Sequence, residues 1–276
     1  MIRTKTVAFS KNSSNIFFHL LTKCNLKCRH CYINPGQHGK NTLPLSMITA
    51  WLEAFARDSD SKNLIFLGGE PTLHPDLPAA VKYAHNLGFG SITIDTNGYL
   101  FHDILSKVKP DEVDFFSFSL DGASRETNDR IRGAGSFDTC IAGIRKANSM
   151  GFATSLIFTA SSTNIQEVDR LPPLLRDLGI DRFFFQIIGL RGRSAKGNQN
   201  RGQKIQVAKS QWLNTIPRVA RRIAEFGITV TYPKVFLGPA ENFECAGLVA
   251  DNYFVFPNGR VYRCPLCEDF ALHSLI

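Results

Sequence analysis

The alternation of short apolar segments with amphipathic segments constrains the fold of this chain more than any other feature. The apolar segments have the character of strands that are buried on both faces, and they lie at Asn15–Leu21, Asn63–Leu67, Ser91–Asp95, Asp114–Ser119, Thr154–Thr159 and Arg182–Ile188. The amphipathic segments between them indicate helices, and these lie at Leu45–Arg57, Leu77–Leu87, Tyr99–Val108, Phe137–Met150 and Ile165–Leu178. Such a serial order predicts an α/β fold with a parallel sheet and right-handed crossovers.

Six strand–helix units fall short of the eight that close a barrel, so we expect an open, partial (β/α)6 barrel. A further helix at Ala208–Phe226 and a strand at Ile228–Tyr232 follow these units. Chemistry in such folds takes place at the carboxyl ends of the strands, so functional residues are expected in the loops after them. We assign residues 1–235 to this barrel and residues 236–276 to a small cysteine-rich region with a β-hairpin.

The composition is that of an ordinary globular protein, with 43% hydrophobic and 20% charged residues. No apolar run is long enough for a membrane span, and the polar, basic start at Met1–Ser14 lacks the apolar core of a secretory signal, which predicts a cytoplasmic location. The formal net charge of +8 indicates either a generally basic surface or an anionic partner, such as an acidic peptide, a nucleic acid or a phosphorylated substrate.

Seven cysteines are present, and six of them form two clumps of three near the two ends of the chain. An odd count without an export signal argues against a disulfide framework, and clumped cysteines in a cytosolic chain indicate metal or redox chemistry. The seventh, Cys140, lies in the apolar stripe of a predicted helix, so we expect it to be buried by packing.

The first clump, Cys24, Cys28 and Cys31, follows the first predicted strand with the spacing C-x3-C-x2-C. Three thiolates in one loop suit an iron–sulfur cluster or zinc, and three protein ligands leave one metal corner open for chemistry. The alternative is a zinc knuckle with His30 as the fourth ligand, although His30 by itself is expected to have a surface or packing role. With Tyr32 after the third cysteine, the loop resembles the signature of the radical S-adenosylmethionine (SAM) superfamily.

This resemblance implies a [4Fe–4S] cluster on the three cysteines, with SAM bound at the open iron. Reductive cleavage of SAM would give a 5′-deoxyadenosyl radical that abstracts hydrogen from a substrate, and Tyr32 would lie near the adenine. An electron donor such as a flavodoxin or a ferredoxin is implied as a partner.

The end of the second predicted strand carries Gly68, Gly69 and Glu70, followed by Pro71. Glycines at a strand end let the backbone approach a ligand closely, and a carboxylate there can accept a hydrogen bond from an ammonium group. This sequence resembles the family's motif for the amino group of SAM. The alternative is a simple Gly-Gly turn with a solvated glutamate.

Later strand ends extend the resemblance. Asn97 follows the third strand, and Ser119 begins the sequence Ser-Leu-Asp-Gly at the end of the fourth. That sequence and the Asp-x-x-Arg-Gly stretch around Arg132 resemble members with a SPASM or twitch extension, which implies that Ser119 and Arg132 contact the carboxylate and ribose region of SAM. The alternatives are turns at Asn97 and Asp121 and a surface charge at Arg132.

A glycine-rich loop, residues 189–205, carries five basic and no acidic residues, namely Arg191, Arg193, Lys196, Arg201 and Lys204. Part of it resembles a sequence in SPASM-type enzymes, and we interpret the loop as lining the mouth of the substrate site. The alternatives are a contact with a nucleic-acid backbone and a solvated loop. No aromatic residue is interleaved with its charges, so stacking on bases is not supported.

The second clump consists of Cys245, Cys264 and Cys267, and a predicted β-hairpin that turns at Pro257–Gly259 would bring them together. This arrangement resembles the twitch half of a SPASM domain and implies an auxiliary [4Fe–4S] cluster. The alternative is a zinc site.

The resemblance implies an enzyme whose substrate is a ribosomal peptide or a protein side chain, with cofactor biosynthesis as the second expectation. The contrasting hypothesis is a non-catalytic, metal-stapled module that binds nucleic acid. That module would explain the charge and the cysteines, but not the Gly-Gly-Glu-Pro strand end or the six strand–helix units.

Overall fold

A single mixed sheet forms the framework of the protein. The structure, a computed structural model, describes residues 4–6, 14–57, 62–195, 205–238, 240–242, 245, 247 and 251–275. In these residues the strands are β1 (Thr4–Thr6), β2 (Ser14–His19), β3 (Lys62–Leu67), β4 (Ser91–Thr96), β5 (Phe115–Ser119), β6 (Thr154–Ala160), β7 (Arg182–Ile187), β8 (Thr229–Tyr232), β9 (Asn252–Val255) and β10 (Val261–Tyr262).

The strand order is β1-β8-β7-β6-β5-β4-β3-β2-β9-β10. Every neighbouring pair is parallel except β9 and β10, which form the predicted antiparallel hairpin. From β2 to β8 the order in the sheet follows the order in the chain, as repeated right-handed crossovers require. The predicted α/β fold with a parallel sheet is therefore confirmed.

Helices connect successive strands. They are α1 (Leu45–Ala56), α2 (Leu77–Asn86), α3 (Ile104–Lys107), α4 (Arg125–Arg132), α5 (Ser136–Ser149), α6 (Leu171–Asp177) and α7 (Lys209–Ala224). Two predicted helices are shorter than expected: Tyr99–Val108 becomes a 3-10 turn followed by α3, and Ile165–Leu178 becomes a 3-10 segment followed by α6. Pro172 and Pro173 explain the second case, because proline fits only the first turn of an α-helix.

The two faces of the sheet differ in burial. On β4, Ile92 and Ile94 are buried in the hydrophobic core, whereas Thr93 and Asp95 on the opposite face are partly exposed. We call that opposite face the inner face. A cavity of about 240 Å³ lies along it between β5 and β8. Polar residues on the inner face thus have contact with water, as a site for a substrate requires.

The hairpin lies in the same sheet as the barrel strands, because β9 pairs in parallel with β2. The division of the chain at residue 235 stays a prediction. Within the residues that the structure describes, no helix combines the length and apolar character needed to cross a membrane. Most of the basic amino-terminal stretch, and Lys196, Arg201 and Lys204 of the basic loop, lie outside the described residues.

Candidate functional site

The two glycines at the end of β3 support the loop that carries the first three cysteines. Gly69 N donates to Leu21 O at 2.8 Å, and Glu70 N donates to Lys23 O at 2.9 Å. A Cβ atom on Gly69 would lie 2.2 Å from Lys23 O, and one on Gly68 would lie 2.5 Å from Leu21 O. Glycine is therefore required here so that the backbone just before Cys24 can pass against the strand end.

Glu70 connects the ends of β3 and β4. Its Oε1 accepts hydrogen bonds from Thr72 N at 3.1 Å, Thr72 Oγ1 at 2.6 Å and Thr96 Oγ1 at 2.9 Å, while its Oε2 accepts one from Asn97 N at 2.7 Å. Burial raises the pKa of Glu70, and the hydrogen bonds offset part of this increase. The carboxylate is thus held rigidly. Its Oε1 accepts three of these hydrogen bonds and its Oε2 accepts one.

Asn97 links the end of β4 to the cysteine loop. Its Nδ2 donates to Asn25 Oδ1 at 2.8 Å and lies 3.8 Å from Cys24 Sγ. Asn97 is buried, and its side chain reaches across from a different strand end to the first cysteine. The alternative interpretation of Asn97 as a simple turn residue does not account for these contacts.

The thiols of Cys24, Cys28 and Cys31 are half-buried and influence one another's titration. Burial raises the pKa of all three, that of Cys24 to about 12. Arg132 opposes this increase at Cys28, and Arg193 and Arg132 oppose it at Cys31. Neutral thiols are therefore favoured without metal, whereas a bound cation and the two arginines would stabilise the thiolates that ligate metals.

The donor set is made of thiolates, the ligands that iron–sulfur clusters use. In the described part of the chain, no three His, Cys, Asp or Glu side chains are arranged to hold one ion. A cubane cluster takes each thiolate on a different iron, so its sulfurs stand farther apart than the donors of one zinc. His30 Nε2 also lies 3.1 Å from Asp121 Oδ2, which argues against His30 as a zinc ligand.

Asp121 is a buried charge that clamps the cysteine loop to the end of β5. Its Oδ2 lies 2.6 Å from Arg132 Nε and contacts His30, and its Oδ1 accepts from Thr159 N at 2.8 Å. Burial favours the neutral acid, but Arg132 and His30 outweigh it and hold the pKa of Asp121 well below its usual range. His30 was expected to have a surface or packing role, and its half-buried imidazole packs against the Asp121 carboxylate.

Arg132 itself is buried at the carboxyl end of α4, so the alternative interpretation of a surface charge is also wrong. Its carbonyl oxygen lies 3.9 Å from Cys28 Sγ, and Arg29 N in the cysteine loop donates to Ile131 O at 2.9 Å. The end of α4 therefore lies against the cysteine loop. The predicted contact between Arg132 and SAM stays a prediction.

Tyr32 lies in an aromatic group beneath the cysteine loop. Its hydroxyl pairs with His19 Nε2 at the end of β2, and His19 in turn stacks on Phe256 with 4.3 Å between ring centroids. His19 Nδ1 contacts Val255 O at 3.1 Å, and burial lowers the pKa of His19 to about 3. A neutral imidazole thus joins Tyr32 to the hairpin strand β9.

Polar side chains also lie on the inner face of the strands next to this loop. Asp95 is the partner of Ser117 across β4 and β5, and the Ser117 hydroxyl lowers the pKa of the Asp95 carboxyl. Burial raises the pKa of Asp95 to about 7. Thr159 Oγ1 donates to Gln186 Oε1 at 3.3 Å. For the half-buried Ser119, no hydrogen bond of the hydroxyl is found among the described residues.

The structure brings the second group of cysteines together. A Cβ atom on Gly247 would lie 3.4 Å from Cys264 Cβ and 3.8 Å from Cys245 Sγ. Burial raises the pKa of Cys267, and the thiols of Cys264 and Cys245 add to the increase. Cys140, by contrast, is 1% exposed in the core, as predicted.

The first arginine of the basic loop, Arg191, faces inward. Arg191 is 4% exposed and pairs with Glu268 and Asp269, and Arg193 Nη1 donates to Cys28 O at 3.4 Å. The interpretation of the loop as a basic substrate mouth is therefore wrong for Arg191, because its charge is neutralised inside the protein.

Reasoning from sequence missed roles for Asp121, His30, Asp95 and Arg191. For Asp121 a signal existed, because an aspartate directly after a buried strand is placed where functional groups gather. No sequence signal existed for His30 and Arg191, because their partners Asp121 and Asp269 are 91 and 78 positions away in the chain. Pairing over such distances is set by the fold.

Comparisons with known proteins agree with this geometry. The family model for the Radical SAM superfamily matches residues 19–171. Fe-coproporphyrin III synthase of Methanosarcina barkeri is 33% identical over 192 residues, which cover 68% of this chain and 47% of that protein. Pre-heme d1 synthase of Dinoroseobacter shibae is 31% identical over 199 residues, covering 71% of this chain and 48% of that protein. The chain thus spans about half the length of these curated relatives.

The structure of Streptococcus suis SuiB bound to its precursor peptide SuiA has the same fold. Its TM-score is 0.73 at 17% sequence identity, and the match covers 95% of this chain and 62% of that chain. The predicted partial barrel is therefore confirmed at the level of fold. Because the family model covers more than half of the sequence and a relative of 31% identity covers more than two thirds of it, the chain belongs to the radical SAM superfamily.

Proposed function

We propose that this protein is a radical SAM enzyme with a [4Fe–4S] cluster on Cys24, Cys28 and Cys31. When bound, this cluster supplies the electron that cleaves SAM to methionine and a 5′-deoxyadenosyl radical, which abstracts hydrogen from the substrate. The observation that carries the proposal is the arrangement of the cysteine loop, held by Gly69, Asn97 and Asp121 from three different strand ends. Rigid support of this kind is what a metal site needs to keep one corner open.

We assign the contacts with SAM to residues around this loop, namely Tyr32, Gly68, Gly69, Glu70, Asn97, Ser119 and Arg132. Glu70 Oε2 accepts one hydrogen bond within the described structure, which leaves acceptor capacity for an ammonium group. The Ser119 hydroxyl is half-buried at the end of β5 and can donate to a carboxylate. Arg132 adds a positive charge that Asp121 holds in place.

The C-terminal region is proposed to be a twitch-type extension whose Cys245, Cys264 and Cys267 hold an auxiliary [4Fe–4S] cluster. Two observations support this: the three thiols are close together, and the β9–β10 hairpin presents the segment that carries two of them. Such a cluster would anchor the substrate or accept an electron from it. A zinc site is the alternative.

We expected a peptide substrate first and cofactor biosynthesis second, and the relatives reverse this order. The proteins at 31–33% identity are named for the synthesis of haem-related cofactors, which favours a small-molecule substrate in cofactor biosynthesis. A peptide substrate is the second candidate. The inner face favours neither, since its hydroxyl and carboxyl groups suit any polar ligand. We propose a flavodoxin or ferredoxin as electron donor and a cytoplasmic location.

Anaerobic reconstitution with iron and sulfide tests the proposal. The reduced protein should release 5′-deoxyadenosine and methionine from SAM, and Cys24→Ala, Cys28→Ala and Cys31→Ala should each abolish the release. Cys140→Ala is the matched control, because Cys140 is a cysteine of the core with no place in either group, and it should retain the activity. A colourless zinc protein that leaves SAM intact would refute the proposal.

That negative result would support the rival hypothesis of a metal-stapled module that binds nucleic acid. The described structure gives this rival little support, because Arg191 and Arg193 of the basic loop make internal contacts. Phosphate contacts require arginines that are free to reach a backbone.

A further inference from the structure

A short segment after β7 lies between the two cysteine-bearing regions. We call residues 189–195 the arginine segment. Arg193 N donates to Cys31 O at 2.9 Å, and Gly192 adopts a φ of +63°. A Cβ atom on Gly192 would lie 2.5 Å from Cys31 O, so only glycine allows this approach and this backbone conformation. The arginine segment is thus in direct backbone contact with the third cysteine of the first group.

The side chain of Arg191 extends from this contact to the C-terminal region. Its Nη1 donates to Tyr32 O at 3.2 Å, beside Cys31. Its Nη2 lies 2.6 Å from Glu268 Oε2, and its Nε and Nη2 donate to the two oxygens of Asp269 at 3.0 and 2.9 Å. Glu268 and Asp269 directly follow Cys267, so one guanidinium connects the neighbours of a cysteine from each group.

Two further side chains of the first loop reach the same carboxylates. Gln37 Nε2 donates to Glu268 Oε1 at 3.0 Å, and Asn34 Nδ2 donates to Asp269 Oδ1 at 2.7 Å. The Arg191 guanidinium also lies 3.4 Å from Gln37 Oε1. The planar fork of arginine, with five donors in fixed directions, transmits a displacement that a flexible lysine would absorb.

We propose that Arg191 is a positioning residue that couples the two cysteine sites, so that metal bound by the C-terminal cysteines sets the geometry around Cys31. This inference rests on the proposed function. Ordering the segment of Cys264 and Cys267 fixes the carboxylates of Glu268 and Asp269, which fix the guanidinium and, through Tyr32 O, the backbone of the first loop. Charge and hydrogen bonding near cluster sulfurs set the reduction potential, so the first site should respond to occupancy of the second.

The test uses the reconstituted full chain and the midpoint potential of the first cluster, followed by electron paramagnetic resonance. A C-terminal variant with Cys245→Ser, Cys264→Ser and Cys267→Ser removes the second site and should shift this potential. In the Asp269→Asn or Arg191→Gln background, the same triple substitution should cause little or no further shift. Equal shifts in the native and Arg191→Gln backgrounds would overturn the inference, because the two effects would then be independent.

Asp269→Asn is included as a second variant that is expected to fold, because Asp269 is 40% exposed and asparagine has the same shape as aspartate. The matched control is Asp169→Asn. Asp169 is 46% exposed and also pairs with arginines, but these are Arg218 and Arg222 of helix α7. The Asp169→Asn variant should leave the midpoint potential of the first cluster unchanged. Arg191→Lys keeps the charge without the fork and should reproduce most of the effect of Arg191→Gln.

A second readout requires no cluster. In the metal-free chain, site-resolved alkylation followed by mass spectrometry should be at least several-fold faster at Cys31 and Cys267 in Arg191→Gln than in the native protein, with no change at Cys140. If the native chain binds no iron but the alkylation rates respond in this way, the proposed function fails and the contact through Arg191 stands. If the chain cleaves SAM and neither potential nor alkylation responds, the inference alone fails.

Discussion

Asp121 is a buried charge that supports the first cysteine loop. Its carboxylate is fully buried between Arg132 and His30. Removing one partner of a buried pair leaves the other charge uncompensated, which costs about 3–5 kcal/mol. We expect Asp121→Asn to lower the free energy of unfolding by that amount in urea titrations. The exposed Asp177→Asn, which breaks a pair with Arg176, should cost less than about 1 kcal/mol.

The effect of Asp121→Asn should depend on pH. The pKa of Asp121 is depressed in the folded protein, so its stabilisation is complete above the unfolded value of about 4 and is lost as the pH falls toward the folded value. The difference in unfolding free energy between native and variant should therefore be largest near pH 7 and shrink below about pH 4. A difference that stays constant down to pH 2 would contradict the assigned ion pair.

The contribution of Asp95 to stability should depend on pH in the opposite direction. Burial raises its pKa to about 7, so between about pH 4 and pH 7 the folded chain keeps a proton that the unfolded chain releases. Stability therefore falls as the pH rises through this window. Asp95→Asn should be more stable than the native chain at pH 8 by roughly 2 kcal/mol, a value reduced for the water at the inner face. Urea titrations from pH 4 to 8 measure it.

The exposed Asp111→Asn provides the control for this pH series, because its side chain is at the surface. Its stability should follow that of the native chain at every pH. If Asp95→Asn also follows the native chain, the Asp95 carboxyl is solvated in the same way in both states, and the raised pKa is wrong.

At the scale of elements, the end of β3 and the cysteine loop act as one unit. Gly69→Ala would place a methyl group 2.2 Å from Lys23 O, a backbone atom that must shift. Overpacking of this kind costs about 1–3 kcal/mol, and here the displaced backbone leads directly into Cys24. We expect lower stability and a reduced iron content after reconstitution, measured by denaturation and by iron analysis.

Gly36→Ala is the matched control for Gly69→Ala, because a Cβ atom on Gly36 meets nothing within 4 Å and Gly36 follows the same loop. It should retain full iron content. Equal iron content in both variants would show that the close packing of β3 on the loop is not needed to assemble the site.

The elements also show what sequence reasoning can and cannot recover. Strands such as β3 and β4 were predicted within one residue at each end, because a buried strand has a continuous apolar pattern between polar loops. Helix α4 was missed, because its composition is almost wholly polar, and its start is fixed by Ser124, whose hydroxyl caps Thr127 N. The apolar pattern carries no signal for such a helix, and only its local N-cap marks where it begins.

The same limit applies to the site. The cysteines, Glu70 and Asn97 could be placed from sequence, because the carboxyl ends of parallel strands meet at one edge of a sheet. Their partners could not. Glu70 was expected to accept a hydrogen bond from an ammonium group, and in the structure its carboxylate accepts hydrogen bonds from Thr72, Thr96 and the backbone of Asn97. Which acceptors remain open for a ligand depends on such side-chain contacts.

At the scale of the whole molecule, both groups of cysteines lie beside β2. The first follows β2, and the second flanks the β9–β10 hairpin, whose strand β9 pairs with β2. Residues far apart in the chain are thereby joined, as Phe17 and Phe254 show by stacking with 4.5 Å between ring centroids. Metal bound at either site should therefore stabilise the sheet around β2 and not only its own loop.

Removal of iron tests this coupling of metal binding to folding. A ligand that binds only the folded chain stabilises it by about 3 kcal/mol at a hundred times its Kd, which for a domain of this size raises the Tm by roughly 5–10 °C. Chelation of the reconstituted protein should lower the Tm by that amount in calorimetry.

Cys140→Ala should show the same decrease in Tm as the native chain, because Cys140 belongs to neither group. A variant with all three C-terminal cysteines replaced by serine should lose part of the decrease, and adding Cys28→Ala should abolish it. A Tm that is the same with and without iron would show that both groups of thiols bind metal without linkage to the fold.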